Sequence, residues 1–128
     1  MTAPNPKPAW PVEIRLMNNH SVLQIAFDDG EVFSLSAEIL RVTSPSAEVQ
    51  GHSEAQRKTI GGKRGVTILT VELVGNYAVR LGFDDMHNTG IYSWAFLREL
   101  GQNAERRFQS YLDDLHAKGL DRDRPGVG

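Results

Sequence analysis

Apolar and polar residues alternate in short runs between turn-forming residues, and no other feature constrains this chain as much. A period of two suits a strand with one buried face and poorly suits a helix. Val12, Ile14 and Leu16 alternate with Glu13 and Arg15. Leu23, Ile25 and Phe27 repeat the pattern, and Asp28-Asp29-Gly30 follows as hairpin chemistry, because glycine takes positive φ without strain. The spacing predicts strands over Val12–Leu16, Val22–Phe27, Val32–Leu35, Val66–Val74 and Tyr77–Phe83, with Asp29-Gly30 and Gly75-Asn76 at hairpin turns and Ile91-Tyr92 closing the sheet. Ser36 is placed to cap a short helix over Ala37 to Leu40, and Ser93 to cap one that starts at Trp94 and stops at Gly101. Phe108, Tyr111, Leu112 and Leu115 fall at i, i+3, i+4 and i+7, one stripe of a further helix capped by Asn103. The expected class is α+β: an antiparallel-rich sheet, a short helix between strands, and C-terminal helices packed on the sheet. No internal repeat is expected.

With 128 residues there is room for one core of ordinary size, and 40% apolar residues plus 12 glycines make global disorder untenable. Pro4, Pro6, Pro8 and Pro11 mark residues 1–10 as a disordered tail, and residues 121–128 read as another disordered tail. Between them lie the domain, residues 11–101, and the amphipathic helix, residues 102–120. Charges nearly cancel at net −2, so no basic surface for nucleic acid is expected. No apolar run reaches membrane-spanning length and none forms a signal peptide, which leads to an expectation of a cytoplasmic protein without membrane partners. Zero cysteines exclude disulfides, thiolate nucleophiles and zinc–thiolate sites.

Little catalytic chemistry is encoded. There is no G-x-S-x-G elbow, and Gly61-Gly62-Lys63-Arg64-Gly65 lacks the hydroxyl and the following helix of a phosphate loop, so it reads as a basic turn open to a phosphate or acidic contact. His20 sits in a turn and His116 on a polar helix face; both read as solvated. His52 lies near Glu54 in the polar stretch 44–65, and His87 lies near Asp84 and Asp85. Imidazole and carboxylate together suit several divalent metals, but no ligand pair is locked onto one element. Tyr92, Trp94 and Phe96 read as packing residues, with Trp94 also a candidate partner anchor.

Two longer segments carry a family likeness: Leu40-Arg41-Val42-Thr43-Ser44-Pro45-Ser46-Ala47-Glu48-Val49-Gln50-Gly51-His52 and Phe83-Asp84-Asp85-Met86-His87-Asn88-Thr89-Gly90-Ile91-Tyr92-Ser93-Trp94. With Pro11-Val12-Glu13-Ile14-Arg15 they resemble a domain-of-unknown-function family similar to the N-terminal domain of gamma-butyrobetaine hydroxylase, over roughly Trp10 to Gly101. In the hydroxylase that domain holds a structural zinc through a C-P-C-x-x-C motif and one histidine. The histidine matches His87, and the cysteine positions match Ser44, Ser46 and Val49. The resemblance therefore implies a retained scaffold without thiolates, with zinc not expected. It also implies that the segment from Ser44 to His52 lies beside Asp84–Gly90, so that His52, His87 and Asp84 share one patch.

The hydroxylase reaction belongs to a separate, larger domain, and the 27 residues after Gly101 cannot supply one. Bacterial relatives occur alone or joined to iron–sulfur carrier ATPases. The expected function is thus a non-enzymatic accessory domain with an unknown protein partner. Its candidate surface comprises Ser44, Ser46, His52, Asp84, His87, Tyr92 and Trp94. The alternative is a metal-binding protein with a weak histidine/carboxylate site, linked to iron–sulfur or metal-cofactor assembly.

Overall fold

A computed structural model describes residues 10–44, 59–88 and 90–123. Strands β1 (Pro11–Met17), β2 (Val22–Phe27) and β3 (Val32–Ser36) lead into helix α1 (Ala37–Val42). Strands β4 (Ile68–Val74), β5 (Ala78–Phe83) and β6 (Gly90–Ser93) lead into α2 (Trp94–Gln102), and α3 (Ala104–Ala117) follows. The α+β class stands, but the expected sheet is two: β1-β2-β3 and β4-β5-β6, each an antiparallel meander. Alternation explains the strands. Leu23, Ile25 and Phe27 of β2 and Val79, Leu81 and Phe83 of β5 are buried in one core, joined by Leu40 of α1 and by Leu97 and Leu100 of α2. Ser36 Oγ accepts the Ile39 amide at 3.0 Å and Ser93 Oγ accepts the Phe96 amide at 3.1 Å, so both serines cap as expected.

The expectation of no repeat is corrected, because the two meanders are built alike. β1 bulges between Pro11, opposite Phe27, and Glu13, opposite Ala26; β4 bulges between Ile68, opposite Phe83, and Thr70, opposite Gly82. The β2–β3 turn is Phe27-Asp28-Asp29-Gly30-Glu31, and the β5–β6 turn is Phe83-Asp84-Asp85-Met86-His87. Their hydrogen bonds coincide: Phe27 N–H to Glu31 O at 2.8 Å and Gly30 N–H to Phe27 O at 3.1 Å, against Phe83 to His87 at 2.8 Å and Met86 to Phe83 at 3.0 Å. Each meander then ends in a capping serine with an arginine five positions on (36 to 41, 93 to 98). The arginines cross over. Arg98 of the second unit grips Asp29 in the first unit's turn, and Arg41 of the first unit donates Nε–H to Asp85 in the second unit's turn at 2.8 Å.

Boundaries shift for physical reasons. Val66 and Thr67 precede β4, and exposed Tyr77 belongs to the turn in which Gly75 takes φ +54°. Gly101 lies inside α2 and does not end it, because a Cβ there would sit 2.5 Å from Phe33 Cγ, where strand and helix touch. Asn103 makes no side-chain N-cap bond to α3; its amide donates to Glu99 O at 2.9 Å. The Gly101→Ala variant should therefore lose roughly 1–3 kcal/mol of stability by overpacking, although alanine is the better helix former. Urea unfolding that shows no loss would refute the close contact.

Candidate functional site

Ser44 and His87, 43 positions apart, meet in the interior: Ser44 Oγ and His87 Nε2 share a hydrogen bond of 3.1 Å. Ser44 is 0% exposed and His87 6%. Tyr92, 0% exposed, stands beside them and donates its hydroxyl proton to Leu40 O at the end of the first unit. Burial pushes its phenol well above the ordinary value, against a smaller opposing pull from a hydrogen bond with Ser44. Gly90 makes the approach feasible, since a Cβ there would lie 2.7 Å from Ser44 Oγ and 2.8 Å from Tyr92 Cε1. The His87 ring tilts against Phe83, with centroids 6.2 Å apart.

Above this buried trio sits an ion cluster. Asp85 Oδ2 accepts both Arg41 Nε–H at 2.8 Å and Lys63 Nζ–H at 2.6 Å, while Oδ1 accepts the His87 amide at 3.2 Å. Burial alone would raise the Asp85 carboxyl pKa, but the bonds from Lys63, Arg41 and the His87 amide outweigh it and hold the pKa below the ordinary value. Asp84 faces elsewhere. Its carboxylate accepts the Thr67 amide at 3.1 Å and its own amide donates to Thr67 O at 2.9 Å, which ties the turn to the start of β4. Met86, between these anchors, takes φ +71° and is 83% exposed.

Of the residues singled out from the sequence, Ser44, His87 and Tyr92 are brought together, but inside the protein rather than on an exposed patch. Trp94 is not among them: its Nε1–H donates to Asn76 O at 2.9 Å and its ring lines a groove with Trp10, Val12 and Leu73. Ser46 and His52 lie outside the described residues, and with them the proposed pairing of two imidazoles. His20 does more than face solvent, since its Nδ1–H donates to Ile68 O at 3.0 Å across the two units. Arg41, Lys63, Asp85 and Met86 are not in the candidate surface read from the sequence, although Asp85 is read there as a possible oxygen ligand near His87 and Lys63 as part of a basic turn open to an acidic contact. The doubled Phe-Asp-Asp string was the available signal for the last two. Among the described residues no group of three or more histidine, aspartate or glutamate side chains is placed to hold a metal. No helix among them is long and apolar enough to cross a membrane.

Residues 14–98 match the family described as gamma-butyrobetaine hydroxylase-like, N-terminal. The chain belongs to that family. It is 36% identical to one protein solved by NMR, with 94% of this chain and 95% of that one covered and a TM-score of 0.80. A second NMR structure is 40% identical over 95% and 91%, with a TM-score of 0.79. A crystal structure of a protein of unknown function in the DUF971 family, from Acidithiobacillus ferrooxidans, is 38% identical over 71% and 91%, with a TM-score of 0.60. No curated protein matches the chain.

The Asp85 cluster predicts a pH dependence with a definite sign. A carboxyl whose folded pKa is depressed stabilises fully above its unfolded value, near ~4, and loses that contribution as pH falls through the folded value. Asp85→Asn should cost roughly 1–3 kcal/mol at neutral pH, toward the low end because solvent screens the rim of the cluster. The gap from wild type should begin to narrow below pH ~4 and close as pH falls past the depressed folded value. A gap of equal size at pH 7 and pH 3 would refute this account.

Proposed function

We propose that this member of the family is a non-enzymatic protein-interaction domain, and that the Asp84–Asn88 turn is its contact element. One comparison within the molecule carries the reading. The equivalent turn of the first unit uses Gly30, at φ +91°, where the second uses Met86, at φ +71°. A side chain in that region costs about 1 kcal/mol, which glycine would avoid. Here the cost is borne by a large apolar side chain that stands out into solvent, 83% exposed. The turn beneath it is held at Asp84, Asp85 and His87. A preorganised apolar knob is cheap to bind, because little freedom remains to be lost. Burying a methionine side chain in a partner is worth about 1.5–3 kcal/mol.

The reading assigns no reaction to the site. The imidazole of His87 is engaged with Ser44, the Asp85 carboxylate holds two cations, and the Tyr92 phenol is driven toward its neutral form. It also assigns no zinc. The positions that match the related domain's thiolates are Ser44, Ser46 and Val49, and a hydroxyl with one imidazole is a poor donor set for a tetrahedral zinc centre. In this reading the Ser44–His87 hydrogen bond closes the space where thiolates and metal would meet.

Two measurements test the proposal. Met86→Gly should raise stability by about 0.5–1 kcal/mol and weaken partner capture at least tenfold relative to wild type and to Met86→Leu. Equal capture by both, or none by the wild type, would put the function elsewhere. Exhaustive chelation should leave the melting temperature unchanged, because only a metal bound to the native state raises it. A fall of many degrees would restore the metal-binding alternative.

A further inference from the structure

A groove of about 380 Å³ runs between β3, an edge strand of its sheet, and the first turns of α3. Ser34 and Ser36 form one wall, Glu105 and Phe108 the other, and Glu38 of α1 lies within it. Glu38 is 5% exposed, a buried carboxylate at a position where the second unit has Ala95. Its partner comes from 84 positions away. Arg122 Nε–H donates to Oε2 at 2.7 Å, Nη2–H donates to Oε1 at 2.6 Å, and the guanidinium stacks over Phe108, 5.0 Å from the ring centroid. A planar fork on a carboxylate with an aromatic wall is a guanidinium site, and an ammonium cannot reproduce either contact.

The segment that delivers Arg122 carries Leu120, which packs beside Tyr111 and Leu115, and lies at the surface beyond it. Gly119, at φ +68°, turns the chain back from α3, and Leu120 to Asp123 then runs beside Gly62 to Arg64. Two backbone bonds fasten it there, Gly62 N–H to Asp121 O at 2.9 Å and Arg64 N–H to Arg122 O at 3.1 Å, with an exposed Arg64–Asp123 pair at 2.9 Å. Without Arg122 the groove lining keeps two carboxylates, Glu38 and Glu105, and no cation.

We propose that this groove recognises an arginine on an extended segment of a partner protein, and that the chain's own Arg122 is the resident competitor. The inference is independent of the Met86 turn. Charge complementarity names the arginine, and the edge strand names the extended conformation, since β3 can accept a further strand on its outer side. Exchange keeps the carboxylate paired in both its starting and its final state. A buried carboxylate left unpaired is costly, so a second guanidinium offsets the loss of the first. The strap then lowers apparent affinity by the fraction of time it occupies the slot.

The test is an NMR titration of the full chain with a capped Val-Arg-Val peptide and its Val-Lys-Val counterpart. The arginine peptide should shift signals of Glu38, Phe108 and Ser34 to Ser36, and move the Arg122 Nε–H resonance away from its Glu38-bound position. The lysine peptide should bind at least tenfold more weakly. Arg122→Ala should tighten arginine-peptide binding at least tenfold, and Glu38→Gln should abolish it. If Arg122→Ala fails to fold, Arg122→Lys, which keeps the charge and loses the fork, should tighten binding in the same direction. Equal binding of both peptides, no tightening in the folded Arg122 variant, or no shifts at β3 would each overturn the proposal.

Discussion

The crossed arginine–aspartate contacts hold the molecule in register. Each sheet is complete in itself, and among the described residues no strand of one pairs with a strand of the other. Shared apolar burial draws the two units together, but burial is non-directional and would tolerate sliding. Direction comes from polar contacts between the units: Arg41 reaching Asp85 and Arg98 reaching Asp29, each from the helix of one unit to the turn of the other, with the His20–Ile68 and Tyr92–Leu40 hydrogen bonds beside them. The contacts differ in kind. Arg98 binds its aspartate through both terminal nitrogens, over the Phe27 face, and the fork of guanidinium hydrogen bonds lowers the Asp29 pKa first of all. Arg41 is buried, and it shares its aspartate with Lys63. Breaking the buried contact strands charge in the interior, whereas the exposed one is screened. The second turn is therefore the more tightly specified of the two.

Chemistry collects where the two units depart from each other. Leu35 is matched by Tyr92, whose hydroxyl crosses back to Leu40 O. Glu31 is matched by His87, whose ring reaches Ser44 while its backbone keeps the shared turn bonds. Gly30 is matched by Met86, and Ala95 by Glu38. Each departure adds a group that the common framework does not need, since the other unit forms the same turn or the same helix without it. Two of these additions are internal and fully engaged. The other two, Met86 and Glu38, lie at solvent and at a groove.

The strands and caps were legible because their causes are local. Alternation sets which face is buried, Asp29-Gly30 sets the hairpin, and Ser36 and Ser93 sit one residue before their helices. Gly101 misled for the same reason. Its local chemistry is that of a helix stop, and only the approach of Phe33, 68 positions earlier, gives it another use. The repeat was hidden because the units share little beyond Phe-Asp-Asp, a capping serine and an arginine, at offsets of 56 or 57 positions (27 to 83, 36 to 93). In the candidate site, the family resemblance placed Ser44 beside His87 correctly. It carried no information on burial, so residues expected at a surface are found beneath it. The Arg41–Asp85–Lys63 cluster joins three separate segments, and ion pairs of that kind leave no periodic trace.

The burial of Ser44, His87 and Tyr92 narrows what the domain can do. A polar cluster inside a protein is stable only when its donors and acceptors are matched. Here Ser44 and His87 meet each other, the His87 amide meets Asp85, and the Tyr92 hydroxyl meets Leu40 O. A substrate reaching His87 would have to break bonds that also hold the turn, and with it the contact between the units. The same bonds therefore serve the integrity of the fold. What the cluster can export to the surface is rigidity. In the reading proposed above, the groups that receive it are Met86, in the turn held by His87 and Asp85, and Glu38 of α1.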